Sequence, residues 1–341
     1  MIVFRCSADP KIGFGHLMRC RQLAKELKRR NHKLAMFGPS EEFKNKNDEH
    51  LFNEWLPSSF WRNSVSDAEE LLRFCAKLNA SILILDDHRV DEPYQLVLRR
   101  HNEKFVLFEG RSNRAIWADL LICTHAASDH RLFHNQIKNP ACEKLVGIHF
   151  ALLRNQFHHR SPIIQSKSIK KILLTFGGGS DRGAFKLVLD VVLRKFPENN
   201  YCIISGESNP NNHYLKTICE EYPKCLELHI GTSRVADLMA SCQFAIMASG
   251  TSTLEAAALG LPMLLIAIAD NQILPAKSLV DKGGAFFLGE LKNVTEEKIE
   301  KQFLRISSYK NRLQMGRNLQ RLGVSGEGVE IISDHVEKLI N

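Results

Sequence analysis

The amino-acid sequence predicts an α/β protein of two doubly wound domains, and three observations carry the prediction. Strand and helix signals alternate along both halves of the 341 residues, as they do when helices cover a mostly parallel sheet. Several strand segments are apolar throughout, the mark of strands buried on both faces. Both halves also open alike, with a strand, a glycine turn and a helix. Two such domains facing each other across a cleft satisfy the pattern, and the length suits two cores of ~150–170 residues better than one.

In order, the first half reads as the strand "MIVFRC", a helix from His16 to about Arg30, "KLAMFG", a helix around Ala68–Leu78 and "SILILDD". A helix around Pro93–Asn102, "KFVLFEG" and "DLLICTH" follow. "QFHHRSPIIQSKSIK" is polar and basic and carries one proline, which reads as a linker. The boundaries are then 1–157 for an N-terminal sugar and catalytic domain, 158–170 for the linker and 171–341 for a C-terminal domain with terminal helices. The second series runs "KKILLTFGGG", a helix from Arg182 to Phe196, "YCIISG", "LELHIG", a helix around Val235–Ser241, "FAIMAS", a helix from Ser252, "PMLLIAIA" and "AFFLG". Val329, Ile332, Val336 and Leu339 fall at helical spacing, so the chain ends on a helix able to cross back onto the first domain.

Composition narrows the classes. Apolar residues make up 44% of the chain, charged residues 25% and aromatic residues 8%, as in an ordinary globular protein. The N-terminus shows no secretory pattern, and "LGLPMLLIAIA" is far shorter than the ~20 residues of a membrane span. A cytoplasmic protein is expected, and a monomer. The nine cysteines are scattered and include no C-x-x-C pair, which predicts buried thiols rather than disulfides or zinc.

A net charge of +8 and a pI near 9.0 favour an anionic partner. Nucleic acid is not expected, for want of aromatic interleaving, a zinc knuckle or a recognition helix. Arg21, Lys25, Lys28, Arg29 and Arg30 form either a solvated helix face or a peripheral membrane contact.

Four segments carry chemistry. In "GFGHLM", Gly13 and Gly15 let a ligand approach the start of a helix, whose N–H groups and dipole favour negative charge. His16 projects there as a candidate general base; a capping or packing histidine is the plain alternative. Arg19, one turn on, suits an anionic group or a carboxylate. The third glycine of a dinucleotide fingerprint is absent, so a nicotinamide site is not expected.

"ILILDDH" ends a buried strand with Asp86, Asp87 and His88. Adjacent residues point opposite ways, so Asp86 is expected to partner His16 or sugar hydroxyls rather than to join a metal cluster. "TFGGGSDRG" exposes Gly177 and Gly178 where N–H groups can cradle a diphosphate, with Asp181 as a candidate helix cap. In "ASGTSTLEAAALGLPMLLIAIADNQ", Ser252 and Glu255 read as a capping box, Gly260 ends the helix and Pro262 stops its continuation. Capping leaves the Gly250–Thr251 turn and the "DNQ" unexplained; a phosphate at the helix start, with Glu255 on ribose hydroxyls, explains more.

"ASGTSTLEAAALGLP…ADNQ" resembles the nucleotide-sugar site of GT-B proteins, especially the N-acetylglucosaminyltransferase of peptidoglycan synthesis. With "FR…IGFGHLMRCRQLAKEL", "ILILDDH", "FALLRNQF" and "LTFGGGSD", the ordered set is most similar to the UDP-diacetamido-trideoxy-altropyranose hydrolase family of pseudaminic acid biosynthesis, over roughly residues 1–290. The resemblance implies a GT-B fold with UDP held mainly by the C-terminal domain. By that analogy Gly177, Gly178 and Ile230 border the nucleotide, and Ser249, Gly250, Thr251 and Ser252 face the diphosphate. Glu255 holds the ribose, Asn271 and Gln272 reach the sugar or its phosphate, Arg5 and Arg19 join the substrate site, and His16 is the family histidine. The chain departs from the family at Ser7, at His88 and at Glu109 with Arg111.

The function these observations imply is hydrolysis of the anomeric bond of a UDP-linked amino sugar, with His16 and Asp86 catalytic and neither metal nor cofactor required. Two alternatives use the same site. One is a glycosyltransferase with a lipid or glycan acceptor, and the other is a non-catalytic nucleotide-sugar binder.

Overall fold

The computed structural model describes residues 1–8, 14–58, 63–110, 113–124 and 133–340. The chain divides into two compact units, Met1–Leu153 with Glu327–Asn341, and Arg154–Gly326.

The sheet of the first unit holds β1 (Ile2–Cys6), β2 (Leu34–Gly38), β3 (Glu54–Pro57), β4 (Ile82–Asp86), β5 (Phe105–Phe108), β6 (Leu120–Cys123) and β7 (Glu143–Val146). The order is β3-β2-β1-β4-β5-β6-β7, and every pairing is parallel. Helices α1 (Gly15–Arg29), α2 (Lys46–Leu51), α3 (Ser64–Leu78) and α4 (Glu92–Arg100) belong to this unit, as does the C-terminal helix Gly328–Ile340.

Strand alternation explains why these strands are apolar throughout. Ile2 and Phe4 of β1, with Ile82 and Ile84 of β4, pack against Leu17, Leu23 and Leu27 of α1 and Val329, Ile332 and Val336 of the C-terminal helix. Val3, Leu83 and Leu85 face the other way, onto Ala68 and Leu71 of α3 and Tyr94 and Leu98 of α4. The same period of two decides where the polar residues at the strand ends go. Asp86 turns toward α1, whereas Arg5 and Asp87 turn toward α3 and α4.

The second unit repeats the scheme with β8 (Ile172–Thr175), β9 (Tyr201–Ser205), β10 (Leu226–Ile230), β11 (Phe244–Ala248), β12 (Met263–Ala267) and β13 (Ala285–Glu290). Its parallel order is β10-β9-β8-β11-β12-β13. The helices are α5 (Ala184–Lys195), α6 (Asn212–Glu221), α7 (Val235–Ala240), α8 (Ser252–Ala258), α9 (Ile273–Asp281), α10 (Glu296–Ser307) and α11 (Tyr309–Gln320). Ile299, Phe303 and Ile306 of α10 close one face of this sheet over Val188 and Val192 of α5, and Phe303 stacks on Phe196 with ring centroids 3.8 Å apart. Burying one such ring contributes about 1.5–3 kcal/mol.

Five elements were not predicted. β3 is a half-exposed edge strand ending in Pro57, and α6 begins in "NPNN" and fully buries only Leu215, so neither carries a strong periodic signal. α9 tolerates Pro275 because its first turn needs no donor there; α2 is a short helix capped by Asn45, and β7 is exposed over its first two residues. All nine cysteines are free thiols. No helix among the described residues is long and apolar enough to cross a membrane.

In each sheet the strand order reverses once, between β1 and β4 and between β8 and β11. Ligands of open α/β sheets bind outside the carboxyl ends of the strands at such a switch point. The segments that leave these four strands, taken with the start of the helix that follows each, carry most of the candidate residues.

Candidate active site

In the first unit, β1 leads to α1, which begins at Gly15 after Phe14 with no side-chain cap on its first amides. His16 stands in that first turn with its side chain 15% exposed, and its Nδ1 lies 2.7 Å from Asp86 Oδ1. Arg19 donates from Nε to Asp86 Oδ2 at 2.9 Å and from Nη2 to Oδ1 at 2.7 Å. The cluster thus joins the start of α1 to the end of β4.

Burial would push the Asp86 carboxyl up, but Arg19 and His16 outweigh it and pull it down to about 2. Arg19 is itself raised, since Asp86 outweighs the cost of its burial. An ionised carboxylate can only accept, so the 2.7 Å contact has His16 Nδ1 donating to Asp86 Oδ1, with Arg19 Nη2 3.1 Å from the same nitrogen. Nε2 is the ring nitrogen not engaged by Asp86. The His88 ring has its centroid 5.7 Å from that of His16 and is exposed.

Arg5 requires a correction. It was expected at the substrate, yet its side chain is fully buried and grips Asp67 through Nε at 2.8 Å and Nη2 at 3.0 Å. Its Nη1 meets Asp87 at 3.0 Å and donates to the Cys6 carbonyl at 2.5 Å. Strand alternation places it opposite Asp86, among α3 and α4, where Tyr94 also donates to Asp67. Asp87 is held well below the usual carboxylate range, since Arg89 and Arg5 overcome its burial. Among the departures, Ser7 is buried with no partner for its hydroxyl, and Glu109 is buried and accepts from the Gly110 N–H. Gly13 and Arg111 lie outside the described residues.

In the second unit, the turn after β8 brings Gly177 and Gly178 to the surface. Gly177 has φ +97°, and a Cβ on either glycine would meet nothing within 4 Å. The turn rests on Gly206, whose ideal Cβ would lie 2.0 Å from the Gly178 carbonyl oxygen. Asp181 accepts from the Phe185 N–H in the first turn of α5 and from Asn211 Nδ2. Ile230 ends β10, half-buried.

After β11, buried Ser249 donates through Oγ to the Ile266 carbonyl, and Thr253 Oγ donates to the Gly250 carbonyl at 2.7 Å. Thr251 is exposed and precedes α8, and Ser252 is its first residue. The expected capping box is not formed, because Thr251 takes the cap position and no side chain caps the helix. Glu255 instead accepts from Arg154, Nε to Oε1 and Nη2 to Oε2, each at 2.6 Å. Arg154 also lies over the Phe157 ring, 5.3 Å from its centroid. It occurs in "FALLRNQF", but no local pattern there assigns it a partner 101 residues away. Gln272 accepts the Ile268 N–H on Oε1, and its Nε2 lies 3.7 Å from a Cβ position built on Gly250. Asn271 is exposed beside it.

The basic face of α1 is largely neutralised. Arg21 pairs with buried Asp48, Arg29 with Glu26, and Arg30 with Glu26, Asp334 and Glu337.

The chain is similar to several known proteins. The lipid-A-disaccharide synthetase family matches residues 191–273, a segment that includes the 249–252 turn and Gln272. Among curated relatives, the spore coat polysaccharide biosynthesis protein SpsG of Bacillus subtilis (strain 168) is 26% identical over 325 residues, covering 93% of this chain and 92% of that protein. Among solved structures, MurG of Acinetobacter baumannii matches with TM-score 0.65 at 14% identity over 99% of both chains. The UDP-GlcNAc 2-epimerase of Neisseria meningitidis bound to UDP-GlcNAc matches with TM-score 0.65 at 16% identity, again over 99% of both. The chain therefore has the GT-B architecture of two parallel-sheet α/β domains, one of seven strands and one of six.

Proposed function

We propose that this chain is an enzyme of polysaccharide assembly that acts on a UDP-linked amino sugar, breaking the bond between the anomeric carbon and the diphosphate. The observation that carries the proposal is His16, whose Nδ1 is held by ionised Asp86 at the switch point of the first sheet, which leaves Nε2 to act as the base. Nε2 takes the proton of an attacking O–H group, its oxygen bonds to the anomeric carbon, and the electron pair of the broken C–O bond leaves with UDP. Asp86 and Arg19 orient the imidazole, and Asp86 stabilises the imidazolium. Within the second unit, the exposed turn at Gly177–Gly178 and the turn at Ser249–Ser252, which Gln272 approaches at Gly250, are the segments whose backbone N–H groups suit a diphosphate.

Transfer to a saccharide or lipid-linked hydroxyl is the reading the relatives favour. SpsG is described by spore coat polysaccharide biosynthesis, and glycosyltransferases such as the calicheamicin enzyme CalG4 share the fold. Hydrolysis, with water as nucleophile, is favoured by the ordered motifs around His16, Asp86, Arg154 and Gly177 that resemble the UDP-sugar hydrolase family.

Incubating the purified protein with UDP-linked diacetamido-trideoxy sugars, with and without a glycan or lipid acceptor, separates the two. UDP release that depends on acceptor and on His16 supports transfer, and acceptor-independent release that depends on His16 supports hydrolysis. Absence of release under every condition overturns both.

A further inference from the structure

Away from the switch point, the second sheet gathers three metal-binding residue types on one face of its edge. Glu227 of β10 is paired in register with Cys202 of β9, and His229 lies two residues further along β10. Paired residues of parallel strands, and residues two apart, share a face. One ligand atom from each of Cys202, Glu227 and His229 falls within 4.8 Å of the others. Tetrahedral zinc with bonds of about 2.0–2.3 Å to N, O and S separates its ligands by roughly 3.3–3.5 Å, between the 2.7 Å of the Glu227–His229 pair and the 4.8 Å that bounds the cluster.

The carboxylate is already oriented. Glu227 Oε1 meets His229 Nε2 at 2.7 Å, and Oε2 accepts from Lys171 Nζ at 2.7 Å. A cation entering on the Oε1 side would replace the His229 contact while Lys171 kept hold of Oε2, the kind of outer partner that steers metal ligands. Cys202 is buried, whereas the side chains of Glu227 and His229 are 47% and 25% exposed, which leaves an approach from solvent on the side of the two harder ligands. Thiolate, imidazole and carboxylate together suit a borderline divalent ion of the zinc class rather than calcium or magnesium.

We propose that Cys202, Glu227 and His229 form a zinc-class metal site at the β9–β10 edge. The spacing of the cysteines gave no hint of it, because the three residues come together only through strand register.

The test uses the full chain, free of any affinity tag, treated with chelator and titrated with Co(II) and then Zn(II). One equivalent of Co(II) is expected to produce a thiolate-to-cobalt charge-transfer absorption that Zn(II) bleaches. Cys202→Ser should abolish the band, and His229→Ala and Glu227→Gln should each weaken binding about ten-fold or more. Cys225→Ser, at the start of the same edge, should leave it intact, and circular dichroism checks that each variant is folded. Absence of the band in folded wild-type protein, or its persistence in Cys202→Ser, overturns the proposal.

Discussion

Asp86 Oδ1 stands 2.7 Å from His16 Nδ1, although 70 residues separate them in the chain. Two sequence features converge to make the contact. Helix α1 begins at Gly15, which puts His16 in its first turn, and the alternation of β4 sends Asp86 rather than Asp87 toward that helix. Asp86→Asn keeps the shape but replaces an accepting carboxylate with an amide that can also donate. A loss of about 10²–10⁴ in kcat is expected with little change in KM, measured by UDP release.

The same carboxylate makes acid stability predictable. Its pKa of about 2 in the folded chain lies below the ordinary value of 3.8, so the folded state holds fewer protons there than the unfolded one. Its contribution of about 2 kcal/mol is complete above pH ~4 and is lost as pH falls through 2. Acid titration by circular dichroism should therefore show Asp86→Asn with a smaller loss of stability than wild type between pH 4 and 2.

Arg5 tests the distinction between core and site. Replacing it with Met leaves Asp67 and Asp87 buried beside Tyr94 without their shared cation, a loss of about 3–5 kcal/mol in urea unfolding. If Arg5 instead contacted substrate, Arg5→Lys would raise KM while stability held, and that result would remove it from the core network.

Gly178 and Gly206 separate shape from function in the second unit. A Cβ at Gly178 meets no protein atom within 4 Å, so Gly178→Ala should unfold like wild type, yet the methyl group would stand where the diphosphate is proposed to approach. UDP affinity should fall about ten-fold or more, measured by calorimetry; unchanged affinity would disprove the cradle. Gly206→Ala drives a methyl group into the Gly178 carbonyl and should impair both binding and stability.

Arg154 ties Glu255 at both oxygens. Arg154→Ala leaves that mostly buried carboxylate unpaired and should cost the second unit about 1–3 kcal/mol, less than a fully buried pair because Arg154 is partly solvated. Thermal unfolding reads the loss.

Hydrophobic pattern and glycine position, both local properties, determined most of the fold. Uninterrupted apolar strands marked the parallel sheets, and the glycines of "FGGGS" and "ASGTS" marked the turns that leave β8 and β11. Even the opposed directions of Asp86 and Asp87 follow from the two-residue period of a strand. Partnership is different, because a side chain's neighbours are set by register and helix packing across long separations. Only tertiary structure decided that Arg5 is consumed by Asp67 and Asp87, that Glu255 leaves its capping box for Arg154, and that Cys202 shares a face with Glu227 and His229. Each of these depends on which strands become neighbours, and strand order is not written in any one segment.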